Sequence, residues 1–208
     1  MSGRSARVES GFSITLVPDF GVIADVSLTL QSVLTEALST LQPGPPIAQV
    51  HDLQGNIATN PAQLTIFLYE VVEDPSARNR PRVQGTVPPD VTVQKPPMAL
   101  ILHYMLTPWG GDRDTEHRML GRVMQVLYDG SIISGSQLKG TTLAGSDEAI
   151  KVTLQLLTLE DRARVWYSVQ KPYHLSVNYQ LRLVNLDPIN SRRIRQVRDR
   201  SLDFAEPD

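Results

Sequence analysis

Between Val22 and Leu41 the apolar residues Val22, Val26, Leu30, Val33, Ala37 and Leu41 recur at helical spacing, with Ile23, Leu34 and Leu38 beside them. The spacing predicts a first helix. Asp19 can cap its start, and Gln42-Pro43-Gly44-Pro45-Pro46 ends it, because proline lacks an amide hydrogen and clashes with a continuing turn. Gln63 to Val72 reads QLTIFLYEVV, dense enough in β-branched and aromatic residues for a strand. Strict alternation would put Ile66, Leu68 and Glu70 on one face and Phe67, Tyr69 and Val71 on the other. Ala99 to Leu106 is the most apolar strand and is expected at the centre of a sheet, while Ala149 to Leu156 predicts a short strand. His174 to Val184 alternates with period two, with Leu175, Val177, Tyr179, Leu181 and Leu183 on one side.

Two more helices are predicted. One runs from about Asp112 to Tyr128, with Leu120, Val123, Met124 and Leu127 as its apolar face and Asp112, Asp114 and Glu116 in its first turn, where negative charge suits the helix dipole. Trp109-Gly110-Gly111 makes the turn into it and Gly130 closes it. The other spans Thr158 to about Val169, with Thr158 as N-cap and Leu159, Ala163 and Trp166 as its apolar side.

The segments between these elements differ in kind. Glu73 to Pro97 holds prolines at 75, 81, 88, 89, 96 and 97, together with Arg78, Arg80 and Arg82, and is expected to be neither helix nor central strand but a long excursion that meets a partner. Ser131 to Asp147, rich in Gly, Ser and Thr, predicts a loop with a brief extended piece. Residues 1–18 mix Ser, Gly and Arg and are expected to form an extension or arm, followed by one domain over 19–188 and a C-terminal arm over 189–208. That last segment carries Arg192, Arg193, Arg195, Arg198 and Arg200 with Ile194, Val197, Leu202 and Phe204 between them. It reads equally as a solvated end and as a strand added to another subunit.

Composition narrows the function classes. With 208 residues the chain can bury a core without metal or disulfide staples. A charged fraction of 20% and a net charge of −2 argue against nucleic acid as a partner, and Asp199, Asp203, Glu206 and Asp208 soften the arginine-rich end. The absence of cysteine excludes thiol catalysis and thiolate metal sites. No apolar run approaches the roughly 20 residues of a membrane span, and the first residues lack the apolar segment of a secretory signal.

Candidate chemistry is sparse. His51, His103, His117 and His174 include no pair at the spacing that puts two metal ligands on one helical face, so no cofactor is expected. His117, beside Glu116 and Arg118, is expected to be a partly buried hydrogen-bonding residue rather than an acid/base group. Gly110-Gly111 precedes acidic residues that would repel a phosphate, and no G-x-S-x-G elbow occurs. Trp109 is expected to pack over a helix or an interface. The chain is therefore expected not to be an enzyme. Its interface candidates are Arg78, Asn79, Arg80, Trp109, His117, Arg118, Arg192, Arg193, Arg195 and Arg198.

In order along the chain, Asp25 to Leu41, Leu64-Thr65-Ile66-Phe67-Leu68-Tyr69-Glu70-Val71 followed by Arg78-Asn79, Pro97 to Leu106, and Thr107 to Leu127 with Glu116-His117-Arg118-Met119-Leu120-Gly121 resemble the N-terminal domain of cap proteins of extracellular contractile injection systems. These are phage-tail-like particles. The resemblance covers roughly Val22 to Leu186. It implies an α+β fold like that of phage tail terminators, with helices covering one side of a mainly antiparallel mixed sheet. It further implies a ring, typically of six copies, that ends polymerisation of inner tube and sheath. The partners implied are other copies of the chain and the last layer of tube and sheath protein. The particle would be assembled in the cytoplasm, with release from the cell as one fate. An adaptor or completion ring elsewhere in such a particle is the alternative.

Overall fold

The computed structural model describes residues 20–42, 44–78, 83–87, 90–94, 96–186 and 191–195, with 83–87, 90–94 and 191–195 described as backbone. Their elements are α1 (Val22–Leu38), β1 (Ile47–Val50), β2 (Gln63–Glu73), β3 (Val83–Val87), β4 (Asp90–Gln94), β5 (Met98–Trp109), α2 (Arg113–Asp129), β6 (Ile132–Ser134), β7 (Ala149–Gln155), α3 (Leu159–Ser168), β8 (Val177–Leu186) and β9 (Ser191–Arg195). Six strands form one sheet in the order β1-β2-β5-β8-β7-β6, and three form a second in the order β3-β4-β9. All pairs are antiparallel except β1 with β2. This is an α+β fold with a mixed sheet, and β5, the most apolar strand, lies inside it as its composition requires.

On one face of the large sheet, α1 contributes Val22, Val26, Leu30, Leu34 and Leu38, an i, i+4 stripe that is fully buried. α2 adds Met119, Val123 and Leu127, and the strands meet them with Ile66, Leu102, Tyr104, Leu106, Val152 and Leu181. Each such leucine contributes roughly 1.5–3 kcal/mol by leaving water. Tyr104, the more deeply buried of the two tyrosines in this core, places its hydroxyl against Ser27 Oγ at 2.8 Å and is paired. Burial pushes its pKa up to about 12.

α1 stops three residues before the predicted end, where the Ser39 amide turns back onto the carbonyls of Thr35 and Glu36 ahead of the prolines. Its N-cap is Gly21, without a side-chain bond, and Asp19 lies outside the described residues. Asp25, buried on α1, accepts hydrogen bonds from the amides of Thr142 (2.6 Å) and Leu143 (3.3 Å), and Thr29 Oγ1 accepts from the Lys139 amide. These bonds hold the glycine-rich loop after β6 on the helix. Gly140 sits against the Asp25 carboxylate at φ +98°, where no side chain fits.

The opposite face is covered too. The expectation that the helices lie on one side fails for α3, whose Trp166 is buried with Met105, Leu53, Ile57 and Val169 on the second face. Alternation along β5 accounts for this, since Leu102, Tyr104 and Leu106 point one way and Met105 the other. The alternation expected along β2 is broken by a bulge between Leu68 and Glu70, which carries Glu70 to the second face, opposite His103, and Val71 to Leu102.

Two further expectations are corrected. The proline-rich excursion forms the hairpin β3–β4, and β4 is the centre of the small sheet, because Pro81, Pro88, Pro89, Pro96 and Pro97 all fall outside its strands. The third strand of that sheet is β9 of the same chain, so the extended piece at 191–195 pairs internally, with Arg195 opposite Asp90 and Ile194 opposite Val91. Among the described residues the large sheet has two incomplete edges. β1 pairs only with Gln63–Ile66 of β2, and β6 only with Ala149–Lys151 of β7.

Candidate functional site

β5 ends at Trp109, and the chain must reverse at once to lay α2 back over the sheet. Gly110 permits the close approach: a Cβ there would stand 2.9 Å from Thr115 Cγ2 and 3.3 Å from Glu116 Cγ. Gly111 adopts φ +77°, the left-handed region that glycine enters without steric cost. Asp112 then caps the helix, its Oδ1 accepting from the Thr115 amide (2.9 Å) and its Oδ2 from the Thr115 hydroxyl (2.7 Å). The backbone bond from Thr115, joined by the hydroxyl bond, holds its carboxyl below the usual range.

Glu116 is the buried member of this corner, not His117. Its carboxylate accepts from Arg113 Nη1 (3.1 Å) and the Gly110 amide (3.4 Å), and it lies 3.3 Å from His174 Nε2. The same His174 nitrogen meets the Pro108 carbonyl at 3.0 Å, and its ring stacks on Trp109 with centroids 4.5 Å apart. Trp109 Nε1 donates to Thr65 Oγ1 (3.0 Å), and its ring meets the edge of Trp166 at 6.3 Å. Trp109 Nε1, His174 Nε2 and the Glu116 carboxylate are thus all engaged in fixing the turn. β8 starts at Val177 rather than His174, because His174 leaves the ladder to make this stack. Among the described residues no three His, Cys, Asp or Glu side chains are placed to hold a metal.

The other candidates fall elsewhere. His117 is exposed and makes no hydrogen bond among the described residues, which corrects the expectation of a partly buried, bonded histidine: the acidic neighbour takes the inward position on α2. Arg118 is exposed and pairs with Asp114 at 2.8 Å, one helical turn back. Arg78 pairs with Glu73 at 3.1 Å beside the short 3-10 turn Pro75–Ala77. Arg192, Arg193 and Arg195 lie in β9, while Asn79, Arg80 and Arg198 lie outside the described residues. Among the described candidates, the structure therefore gathers Trp109 into the corner and leaves His117, Arg118, Arg78 and the β9 arginines outside it.

A surface that periodicity did not reveal lies between α2 and the outer edge of β7. Met124, Tyr128, Lys151, Val152 and Leu154 line a groove of about 1050 Å³. Met124, expected on the buried face of α2, is 38% exposed here, and Tyr128 is 85% exposed. At its end a smaller hollow of about 130 Å³ shares Met124 and Leu154 and adds Arg162 and Asn178. Only the unusual density of apolar side chains on an otherwise polar stretch of α2 could have signalled it.

The sequence profile of the Pvc16 N-terminal domain matches residues 25–199 of this chain. No curated protein matches it in sequence. Among solved structures, the sheath/tube terminator of PVC, an extracellular contractile injection system, in its extended state is similar with a TM-score of 0.60 at 18% identity, over 89% of this chain and 64% of that one. The tube-terminating cap of the anti-feeding prophage aligns with a TM-score of 0.49 at 16% identity, over 88% of this chain and 60% of that one. The chain thus spans about two thirds or less of the length of either. The first of these likenesses is one of fold.

Proposed function

Because the chain belongs to the Pvc16 N-terminal domain family, we propose that it is a structural terminator of a phage-tail-like contractile injection particle, closing the last layer of inner tube and sheath. The family match over residues 25–199 carries this reading. The fold likeness to a sheath/tube terminator supports it.

The physical mechanism is a mismatch of surfaces. A helical tube grows because each layer presents an open, heterologous contact to the next, and a closed ring that fits one side and offers no equivalent far side stops that growth. The role assigned to this chain is a homohexameric ring. It needs rigid docking surfaces and no reacting group, which accords with a corner whose carboxylate and histidine are spent on fixing the turn. Among the described residues no helix is long and apolar enough to cross a membrane. The ring would form in the cytoplasm on the finished tube.

Electron microscopy of particles carrying labelled chain tests the reading. Label at the end distal to the baseplate, with sheaths of irregular length when the chain is absent, is expected. Label at the baseplate end would instead identify an adaptor or completion ring, and particles of normal length without the chain would remove the terminator role.

A further inference from the structure

The groove between α2 and β7 combines three features that call for an occupant. Its walls are apolar and exposed, with Met124, Tyr128 and Leu154 at 38%, 85% and 42%. Its floor is a strand edge: the Val152 amide bonds to the Ser131 carbonyl, and beyond it β6 provides no partner for Thr153–Gln155. The hollow at its end, beside the buried Asn178, holds one buried polar atom with no partner among the described residues, Nε of Arg162. A buried guanidinium nitrogen left unpaired costs stability, so it is expected to be satisfied by something that binds.

The charge of the site selects the occupant. Lys151 and Arg162 make no ion pair among the described residues, whereas Asp129 stands at the far end of the groove. The complement is an extended segment that alternates apolar and acidic residues. Residues 201–208 of this chain read Ser-Leu-Asp-Phe-Ala-Glu-Pro-Asp, with Leu202 and Phe204 two apart and Asp203 and Glu206 among them. The other alternating stretch outside the described residues, Phe12-Ser-Ile-Thr-Leu-Val17, carries no charge and follows Arg4 and Arg7.

We propose that residues 201–208 of a second copy seat in this groove, with Leu202 and Phe204 against Met124, Tyr128 and Leu154 and an acidic side chain on Arg162. The segment extends the sheet at Thr153–Gln155 by strand addition. Tail and groove are different surfaces of the same chain, which is the heterologous contact that a closed ring requires. The proposal deepens the ring reading, and its second copy rests on that reading.

The chain has no cysteine, so a disulfide trap is clean. Full-length Leu154→Cys and tagged full-length Phe204→Cys are mixed under mild oxidation, with Leu156→Cys, at a 92% exposed position, as a second placement should Leu154→Cys misfold. A tagged disulfide heterodimer is expected from the mixture. Adding Arg162→Glu to the groove chain should slow its formation roughly five-fold, and Asp203→Lys with Glu206→Lys on the tail chain should restore it. Absence of the heterodimer with both placements, or a disulfide formed only within one chain in the Leu154→Cys/Phe204→Cys double variant, overturns the proposal. Ring formation is read separately by electron microscopy of the tube ends of particles carrying the same variants. Rings without the disulfide sink the groove contact alone, and the disulfide without rings sinks the ring reading alone.

Discussion

On one face of the six-stranded sheet α1 and α2 lay an unbroken apolar stripe over Leu102, Tyr104 and Leu106; on the other, α3 and the segment before β2 close over Met105 with two tryptophans and His174. The first face is held by area removed from water, which is large and non-directional. The second is held by a smaller apolar cluster plus directional bonds: Trp109 to Thr65, Trp166 to Ser176, and Lys171 Nζ to the Gly55 carbonyl at 2.7 Å. The comparison separates what makes the chain fold from what aims its corner. An apolar face accepts any side chain of the right volume, whereas the Trp109–His174–Glu116 arrangement admits one geometry.

Substitutions should divide along this line. The largest effect is expected from Leu106→Ala, which opens a cavity in the fully buried first face; urea titration should show a loss of about 4 kcal/mol felt by the whole molecule. Trp166→Ala should cost somewhat less, about 3 kcal/mol, because the second cluster is smaller and nearer the surface. Amide exchange should speed first in α3 and the segment before β2, and uniform acceleration would contradict the division. Both tryptophans of the chain, Trp109 and Trp166, lie on the second face, so fluorescence reports that face while far-ultraviolet circular dichroism reports both.

Glu116→Gln keeps the shape of the corner and removes its charge. A loss of about 1.5 kcal/mol is expected, with a change in tryptophan fluorescence and an unchanged dichroism spectrum. Tyr104→Phe should cost about 1 kcal/mol at neutral pH through the lost bond to Ser27. The phenol's folded pKa of about 12 stands above the ordinary tyrosine value of 10.0, so its contribution is complete below pH 10 and disappears as pH rises through 12. Tyr69 and Tyr179 are also raised by burial, so the difference between parent and Tyr104→Phe across that window isolates Tyr104. The smallest effect concerns Asp112. Its folded pKa is depressed, so its capping contribution is present above the unfolded carboxylate value and fades as pH falls through the folded one. Asp112→Asn should remove that acid-side slope, leaving the alkaline side unchanged.

The helices and most strands were legible because each carries its own period: α1 in its i, i+4 stripe, α3 in Thr158 followed by acidic residues, β5 in its apolar run. What escaped depended on partners distant in the chain. The bulge that moves Glu70 is set by pairing with β5, and the role of β4 by β9, about a hundred residues later. Counting prolines over Glu73–Pro97 mistook their number for their positions. At the corner, Gly110 and Gly111 could be read as a turn and Asp112 as charge in the first turn of the helix, but Glu116 and His117 differ by one position on a helix, and only the sheet and His174 decide which points inward.

The unfinished edges of the large sheet bear on how such a chain survives before assembly. A long flat edge is a template on which identical copies can stack without limit. Here the open stretch of β2 is interrupted by the bulge at Leu68–Glu70, and that of β7 is only Thr153–Gln155 long. Neither offers a straight ladder. The same sheet that leaves two edges unfinished is thereby kept from seeding an open stack of its own copies.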